Sequence, residues 1–131
     1  MDFKMKNFPQ LIKEANEKIR TISVDGLKSI IDDQNLTIID VQSKEAVEES
    51  GMIPNAIHAN RGFLEFYIDQ RPDNPFKKID VMPGDKIIVY CGGGGQGALA
   101  TKTLQDMGFQ DVSNLEGGSS AWIKAGNKLT K

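Results

Sequence analysis

The chain has a single cysteine, Cys91, followed by the four glycines Gly92, Gly93, Gly94 and Gly95 and then by Gln96, Gly97 and Ala98. Cysteine is the most intrinsically nucleophilic side chain at neutral pH, because part of it is always thiolate. An apolar run, Lys86-Ile87-Ile88-Val89-Tyr90, leads in, and the helix-forming run Ala98–Leu104 leads out. A strand, a loop without side chains and a helix start therefore converge on one thiol. A helix N-terminus beside a cysteine favours the thiolate. The glycine N–H groups can surround an anion or a negatively charged sulfur. Cys91 is the candidate nucleophile, and Gly92, Gly93, Gly94, Gly95, Gln96 and Gly97 are its candidate binding loop. The bland alternative is an inert thiol at a strand end beside a flexible turn. So many glycines are entropically costly in a mere connector, and close approach of backbone to ligand explains them better.

Other residues are weighed against this centre. Asp40 ends a β-branched run and reads either as holding the glycine loop through its N–H groups or as capping the turn that follows. Arg61 is a candidate to reach the cysteine mouth; a plain surface arginine is the competing reading. His58 lies among apolar residues and reads as structural rather than as a base. Phe63, Phe66 and Tyr67 read as packing residues rather than a substrate platform, and Trp122 as core of the last helix.

The 131 residues fit one domain with a core large enough to fold alone. With 39% hydrophobic and 26% charged residues, the composition is that of an ordinary globular protein. A net charge of −2 supplies no basic field for nucleic acid. Apolar runs are far too short to span a membrane, and Met1–Lys6 shows no leader pattern. One cysteine cannot form an internal disulfide, which suits a reducing, cytoplasmic setting. With a single histidine as well, few metal ligands remain, and neither metal nor cofactor is expected.

The periodicities place the supporting elements. Phe8, Leu11, Ile12, Ala15 and Ile19 follow helical spacing, giving an amphipathic helix near residues 7–18. Residues 1–20 read as an N-terminal helical extension and 21–131 as the main domain. Ser23 caps a helix through about Asp32, Leu36–Val41 is a buried strand, and Ser43 caps a short helix ended by Gly51. Ala56–Ala59, Lys86–Tyr90 and Val112–Leu115 read as strands. Residues 62–68 read as helical, and the helix after the glycine loop runs to Met107. Strands alternating with helices imply an α/β sandwich with a mostly parallel sheet, whose ligands gather beyond the strands' carboxyl ends. Cys91 sits at such an end.

Ile38-Ile39-Asp40-Val41, Gly51-Met52-Ile53-Pro54-Asn55-Ala56-Ile57-His58, Tyr90-Cys91 with its loop, Ala98-Leu99-Ala100, Leu104–Phe109 and Leu115-Glu116-Gly117-Gly118 followed by Ala121-Trp122 stand in an order that resembles the single-domain rhodanese-like sulfurtransferases. The resemblance covers roughly residues 20–126. It implies a three-layer sandwich with a mostly parallel five-stranded sheet flanked by helices, and an active loop from Cys91 to Gln96. It also implies that the cysteine takes a sulfane sulfur from a donor such as thiosulfate, becomes a persulfide, and passes the sulfur to cyanide, a thiol or a partner protein's cysteine.

The chain departs from the family's Cys-x-x-Gly-x-Arg-Ser loop at Gln96 and Gly97. It departs from Asp-Val-Arg at Gln42 and from Gly-His-Ile-Pro at Met52. A glutamine amide cannot replace the bidentate, charged grip of a guanidinium. Losing one charge-assisted contact costs roughly 1.5–3 kcal/mol, about one to two decades in binding. Thiosulfate is therefore expected to bind weakly while the backbone cradle remains. Sulfur transfer is the first expectation. A weak or inactive binding and sulfur-carrier module is the second. A phosphatase is disfavoured, because its longer loop ends in an arginine and neither Gln96 nor Gly97 is one.

Overall fold

A computed structural model describes residues 4–131; the first three residues of the N-terminal stretch, part of the leader reading above, lie outside it. Helix α1 spans Phe8–Lys18. Its start is a capping box: the Asn7 side chain accepts from Gln10 N–H at 2.9 Å, and the Gln10 side chain accepts from Asn7 N–H at 2.9 Å. Strand β1 (Arg20–Ile22) leads to α2 (Val24–Ile30), where Ser23 accepts from Gly26 N–H at 3.0 Å. Then follow β2 (Leu36–Asp40), α3 (Lys44–Ser50) capped by Ser43, and β3 (Ala56–His58). Gly51 ends α3 at φ 82°, as glycine readily does.

A 3-10 turn (Arg61–Phe63) runs into the short α4 (Leu64–Ile68). Beyond an irregular segment come β4 (Lys86–Tyr90), α5 (Gly95–Asp106), β5 (Val112–Leu115) and α6 (Gly118–Lys124). Two boundaries differ from the expectation. Helix α2 stops at Ile30, where the chain turns towards β2. Helix α5 begins at Gly95 rather than Ala98, so the last part of the glycine run is already helical. Helical propensity penalises those glycines, but the contacts of the first turn outweigh it.

The strands form one sheet in the order β1-β5-β4-β2-β3, parallel throughout. Alternate residues feed two cores. Ile39, Val41, Ile87, Val89 and Cys91 face Leu64, Ile68, Ala100 and Leu104 from α4 and α5. Ile38, Ile88, Tyr90 and Leu115 face Leu27 of α2 and Trp122 of α6. Both faces are covered by helices, which explains why β2 and β4 read as continuous apolar runs rather than alternating ones. Each fully buried leucine or isoleucine here is worth about 1.5–3 kcal/mol. Trp122 is core, as expected, with its indole N–H on the Lys128 carbonyl at 3.0 Å.

Of the three aromatic residues expected to pack, Tyr67 lies against the core, whereas Phe63 of the 3-10 turn and Phe66 of α4 differ from the expectation. Phe63 and Phe66 are 48% and 51% exposed, because Leu64 and Ile68 take the inward face of this short helix. Phe63 stacks on Tyr67 and meets Phe66 edge-on at the surface. Helix α1 lies on α5, yet of its apolar stripe only Ala15 is fully buried, and Phe8 and Leu11 overhang into solvent.

Tyr90, the last residue of β4, is fully buried and its hydroxyl accepts from Ile53 N–H at 2.9 Å. Burial, and then the negative charge of the neighbouring Asp40, push the phenol well above its ordinary value of 10.0. The native state thus holds its proton more tightly than the unfolded chain does. The corresponding stability is complete below the ordinary tyrosine range and is lost as pH rises above about 10. We expect denaturant midpoints to fall steeply above about pH 10. Tyr90→Phe should flatten that fall and cost about 1–3 kcal/mol at neutral pH, because Ile53 N–H loses its acceptor. Urea titrations of both proteins at several pH values measure each effect.

Candidate active site

Strand β4 delivers Cys91 to the carboxyl edge of the sheet between its neighbours β2 and β5. The chain then doubles back through Gly92–Gly94 into α5. Gly94 takes φ +106°, a conformation open to glycine, and immediately precedes the helix. This fold of the loop aims two N–H groups at the sulfur: Gly94 N–H at 3.0 Å and Gly97 N–H at 3.2 Å from Sγ. The N–H groups of Gly92, Gly93, Gly95 and Gln96 have no acceptor among the described residues. Two donors thus address the thiol directly and four unpaired ones lie in the adjoining loop and helix start, an arrangement that can receive an anion.

The carbonyls of Cys91 and Gly92 are held by α6. Ser119 N–H donates to Cys91 O at 2.8 Å and Ser120 N–H to Gly92 O at 3.0 Å. Gly118 (φ +59°) permits this close approach: a Cβ there would overlap Cys91 O and lie 2.7 Å from Gly92 O. We expect Gly118→Ala to cost at least about 1–3 kcal/mol, a fall of roughly 5 °C or more in Tm. It should also slow alkylation of Cys91 by iodoacetamide, since the loop carbonyls it displaces are what turn the N–H groups inward. A melting curve and an alkylation time course measure the two effects.

Cys91 is 6% exposed and opens onto a cavity of about 360 Å3 lined by Gln42, Ser43, Ala46, Cys91, Gly92, Gly93, Gly95 and Gln96. No lining side chain bears a formal charge. A larger cavity, of about 730 Å3, lies at the opposite end of the sheet between the 81–85 turn and residues 108–111. It contains no thiol, and size alone does not make it the site. A third, of about 260 Å3, lies behind the glycine loop, between Ile12 and Asn16 of α1 and Glu116 after β5.

The structure brings Cys91 and the residues from Gly92 to Gly97 together. Asp40 lies buried behind Gln42, and of its two readings the turn cap is the one observed. Its carboxylate accepts from Gln42 N–H at 2.8 Å and from Gln42 Nε2 at 3.1 Å, and it makes no hydrogen bond to the glycine loop. Arg61 does not line the cavity. Its guanidinium donates to Glu65 Oε1 at 3.0 Å and to Thr103 Oγ1 at 2.9 Å, because the 3-10 turn after β3 directs it along α5. His58 is structural: its ring Nε2 bonds the Gln42 carbonyl at 2.8 Å.

Gln42, already singled out as a departure from Asp-Val-Arg, and two contributors outside the sequence-derived set, Asn114 and Ile12, complete the site. Gln42 faces the loop, with Oε1 3.4 Å from the position of a Cβ on Gly92; its place after Asp40 was the available signal. Asn114, on β5, donates from Nδ2 to Gly94 O at 3.1 Å. Ile12 of α1 covers Gly95, its Cδ1 2.9 Å from where a Cβ would sit. Helical periodicity shows which face of α1 is apolar, but not which glycine that face covers.

Comparisons with known proteins agree with this geometry. The family model for the rhodanese-like domain matches residues 23–125. A Rhodopseudomonas palustris protein of unknown function, described as a possible tyrosine phosphatase, superposes with a TM-score of 0.86 at 32% identity over 99% of both chains. The polysulfide-sulfur transferase of Wolinella succinogenes superposes with a TM-score of 0.72 at 26% identity, over 92% of this chain and 85% of that one. A putative sulfur carrier protein of Bacillus subtilis, YrkF, is 28% identical over 110 residues, 83% of this chain and 54% of its own length. The chain spans about half the length, or less, of several curated relatives that it matches. No helix among the described residues is long and apolar enough to cross a membrane. On its family-model match, its parallel five-stranded sheet and its cysteine loop, the chain belongs to the rhodanese-like domain family.

Proposed function

We propose that this domain transfers sulfane sulfur through Cys91, from a persulfide or polysulfide donor to a thiol acceptor. The carrying observation is the pair of N–H groups on Sγ, with four more unpaired donors beside a cavity that holds no charged side chain. The Cys91 thiolate attacks the outer sulfur of the donor R–S–SH. An S–S bond forms to Cys91, the donor's own S–S bond breaks, and RS⁻ leaves with the electron pair and takes up the proton that the outer sulfur gives up. The loop N–H groups then hold the terminal sulfur anion of the Cys91 persulfide. An external thiolate or cyanide attacks that sulfur and the Cys91 thiolate is regenerated. A single cysteine leaves no internal group to resolve the persulfide, so the acceptor comes from outside. The polysulfide-sulfur transferase of W. succinogenes supports this donor class by likeness.

Thiosulfate is the weaker donor in this account, because its dianion meets Gln42 and Gln96 where the family has arginines, and Arg61 is engaged elsewhere. The same lack of a cation supports a second reading, a sulfur carrier that loads and unloads slowly, in line with the description of YrkF. Phosphomonoester hydrolysis is disfavoured: no arginine lines the cavity to grip the transferred oxyanion. Steady-state thiocyanate formation tests the assignment, with glutathione persulfide and thiosulfate as donors and cyanide as acceptor. Turnover that is faster with the persulfide supports the enzyme, a single stoichiometric burst supports the carrier, and phosphate release from p-nitrophenyl phosphate would contradict both.

A further inference from the structure

Asn114 stands one strand from Cys91, in register with Val89, and its parity along β5 puts it on the sheet face of Val89 and Cys91. It is 3% exposed. Its Nδ2 donates to Gly94 O at 3.1 Å, the carbonyl that also accepts the first bond of α5, from Ala98 N–H at 3.0 Å. Gly94 is thus fixed from two sides, and its own N–H is the donor 3.0 Å from Sγ. The other end of the amide lies under the second donor. Any Cβ on Gly97 would overlap Asn114 Oδ1, and Gly97 N–H is 3.2 Å from Sγ. Reversing the amide would oppose Oδ1 to Gly94 O, acceptor against acceptor, so this orientation is the one the surroundings allow. Oδ1 is fully buried and is the one such side-chain atom without a partner among the described residues. An unpaired buried acceptor is uncommon and asks for a reason.

We propose that Asn114 is a positioning residue for Cys91: with Gly97 as its obligatory small partner, it holds the two loop N–H groups that address Sγ. The reason for the unpaired Oδ1 is that the amide is held for its other end. Gly97, one of the chain's departures from the family loop, then suits Asn114, because a side chain there could enter only by moving the amide from the position that holds Gly94. A carboxylate at this position would lose the donor to Gly94 and set a negative charge beneath the sulfur.

The proposal rests on Cys91 being the reacting nucleophile, and its test uses no sulfur donor. Failure to load sulfur would therefore sink the transfer reading and leave this one standing. The experiment is the rate of Cys91 alkylation by iodoacetamide from pH 5 to 10, with a melting curve for each protein. Asn114→Ser should lower the rate at pH 7 by about three- to tenfold and move the profile to higher pH. Asn114→Asp should lower it by about tenfold or more. Gly97→Ala should slow the wild type but be tolerated in the Asn114→Ser background, where the overlap is relieved. A merely structural Asn114 would lower Tm and leave the pH profile in place. The proposal is overturned if the Asn114→Ser profile superimposes on the wild type, or if Gly97→Ala does equal harm in both backgrounds. Should Asn114→Asp not fold, Asn114→Ser and its Gly97→Ala double variant decide the matter.

Discussion

Cys91→Ser should take up no sulfur and transfer none, with thiocyanate formation falling to the rate of the solution without protein. The substitution removes one atom's identity and little volume, so the fold and the cavity are expected to persist. What it removes is the thiolate, the form that attacks sulfur, and a serine hydroxyl is almost wholly protonated at neutral pH. The N–H groups of Gly94 and Gly97 that address the sulfur serve a thiolate or persulfide anion there, and a neutral hydroxyl gives them no such charge to hold. Because there is no second cysteine, no other thiol in the chain substitutes for it. A melting curve close to the wild type, together with thiocyanate measured under both donors, separates loss of chemistry from loss of fold.

Gln96→Arg should raise kcat/KM for thiosulfate by about one to two decades, the effect of one regained charge-assisted, bidentate contact. Gln96 is exposed in the first turn of α5 and lines the mouth of the Cys91 cavity, so a longer side chain has room there. The helix N-terminus and the free N–H groups already favour an anion; the guanidinium adds the permanent charge that the lining lacks. A persulfide, whose reacting end carries at most one negative charge, gains less from it, so the ratio of the two donors should shift towards thiosulfate. Rates for both donors, measured for wild type and variant at one ionic strength, give this ratio. An unchanged thiosulfate rate would show that the missing charge is not what limits that donor.

Much of the frame was legible in the sequence because its signals are local. Ser23 and Ser43 cap the helices they precede, Gly51 ends α3, and β2 and β4 are recognisable as apolar, β-branched runs. The cysteine loop was legible for the same reason: a strand, glycines and a helix start are contiguous. What escaped depends on contacts between distant segments. Arg61 lies near the right strand end, yet Glu65 one helical turn on and Thr103 on α5 capture its guanidinium. Asp40 had two local readings, and only the position of the Gln42 side chain distinguishes them. Phe63 and Phe66 read as packing residues, but α4 is a single short turn with one buried face. Asn114 reads as an ordinary strand residue until β5 is placed in register with β4.

The central claim, that Cys91 carries sulfur in a backbone cradle, is tested most directly by intact mass. Wild type and Cys91→Ser are incubated with glutathione persulfide and, separately, with thiosulfate, desalted, weighed and then treated with cyanide. The account predicts one added sulfur on the wild type alone, gained more readily from the persulfide and removed by cyanide as thiocyanate. A wild type that gains no sulfur from either donor, or a Cys91→Ser protein that gains as much, would contradict it.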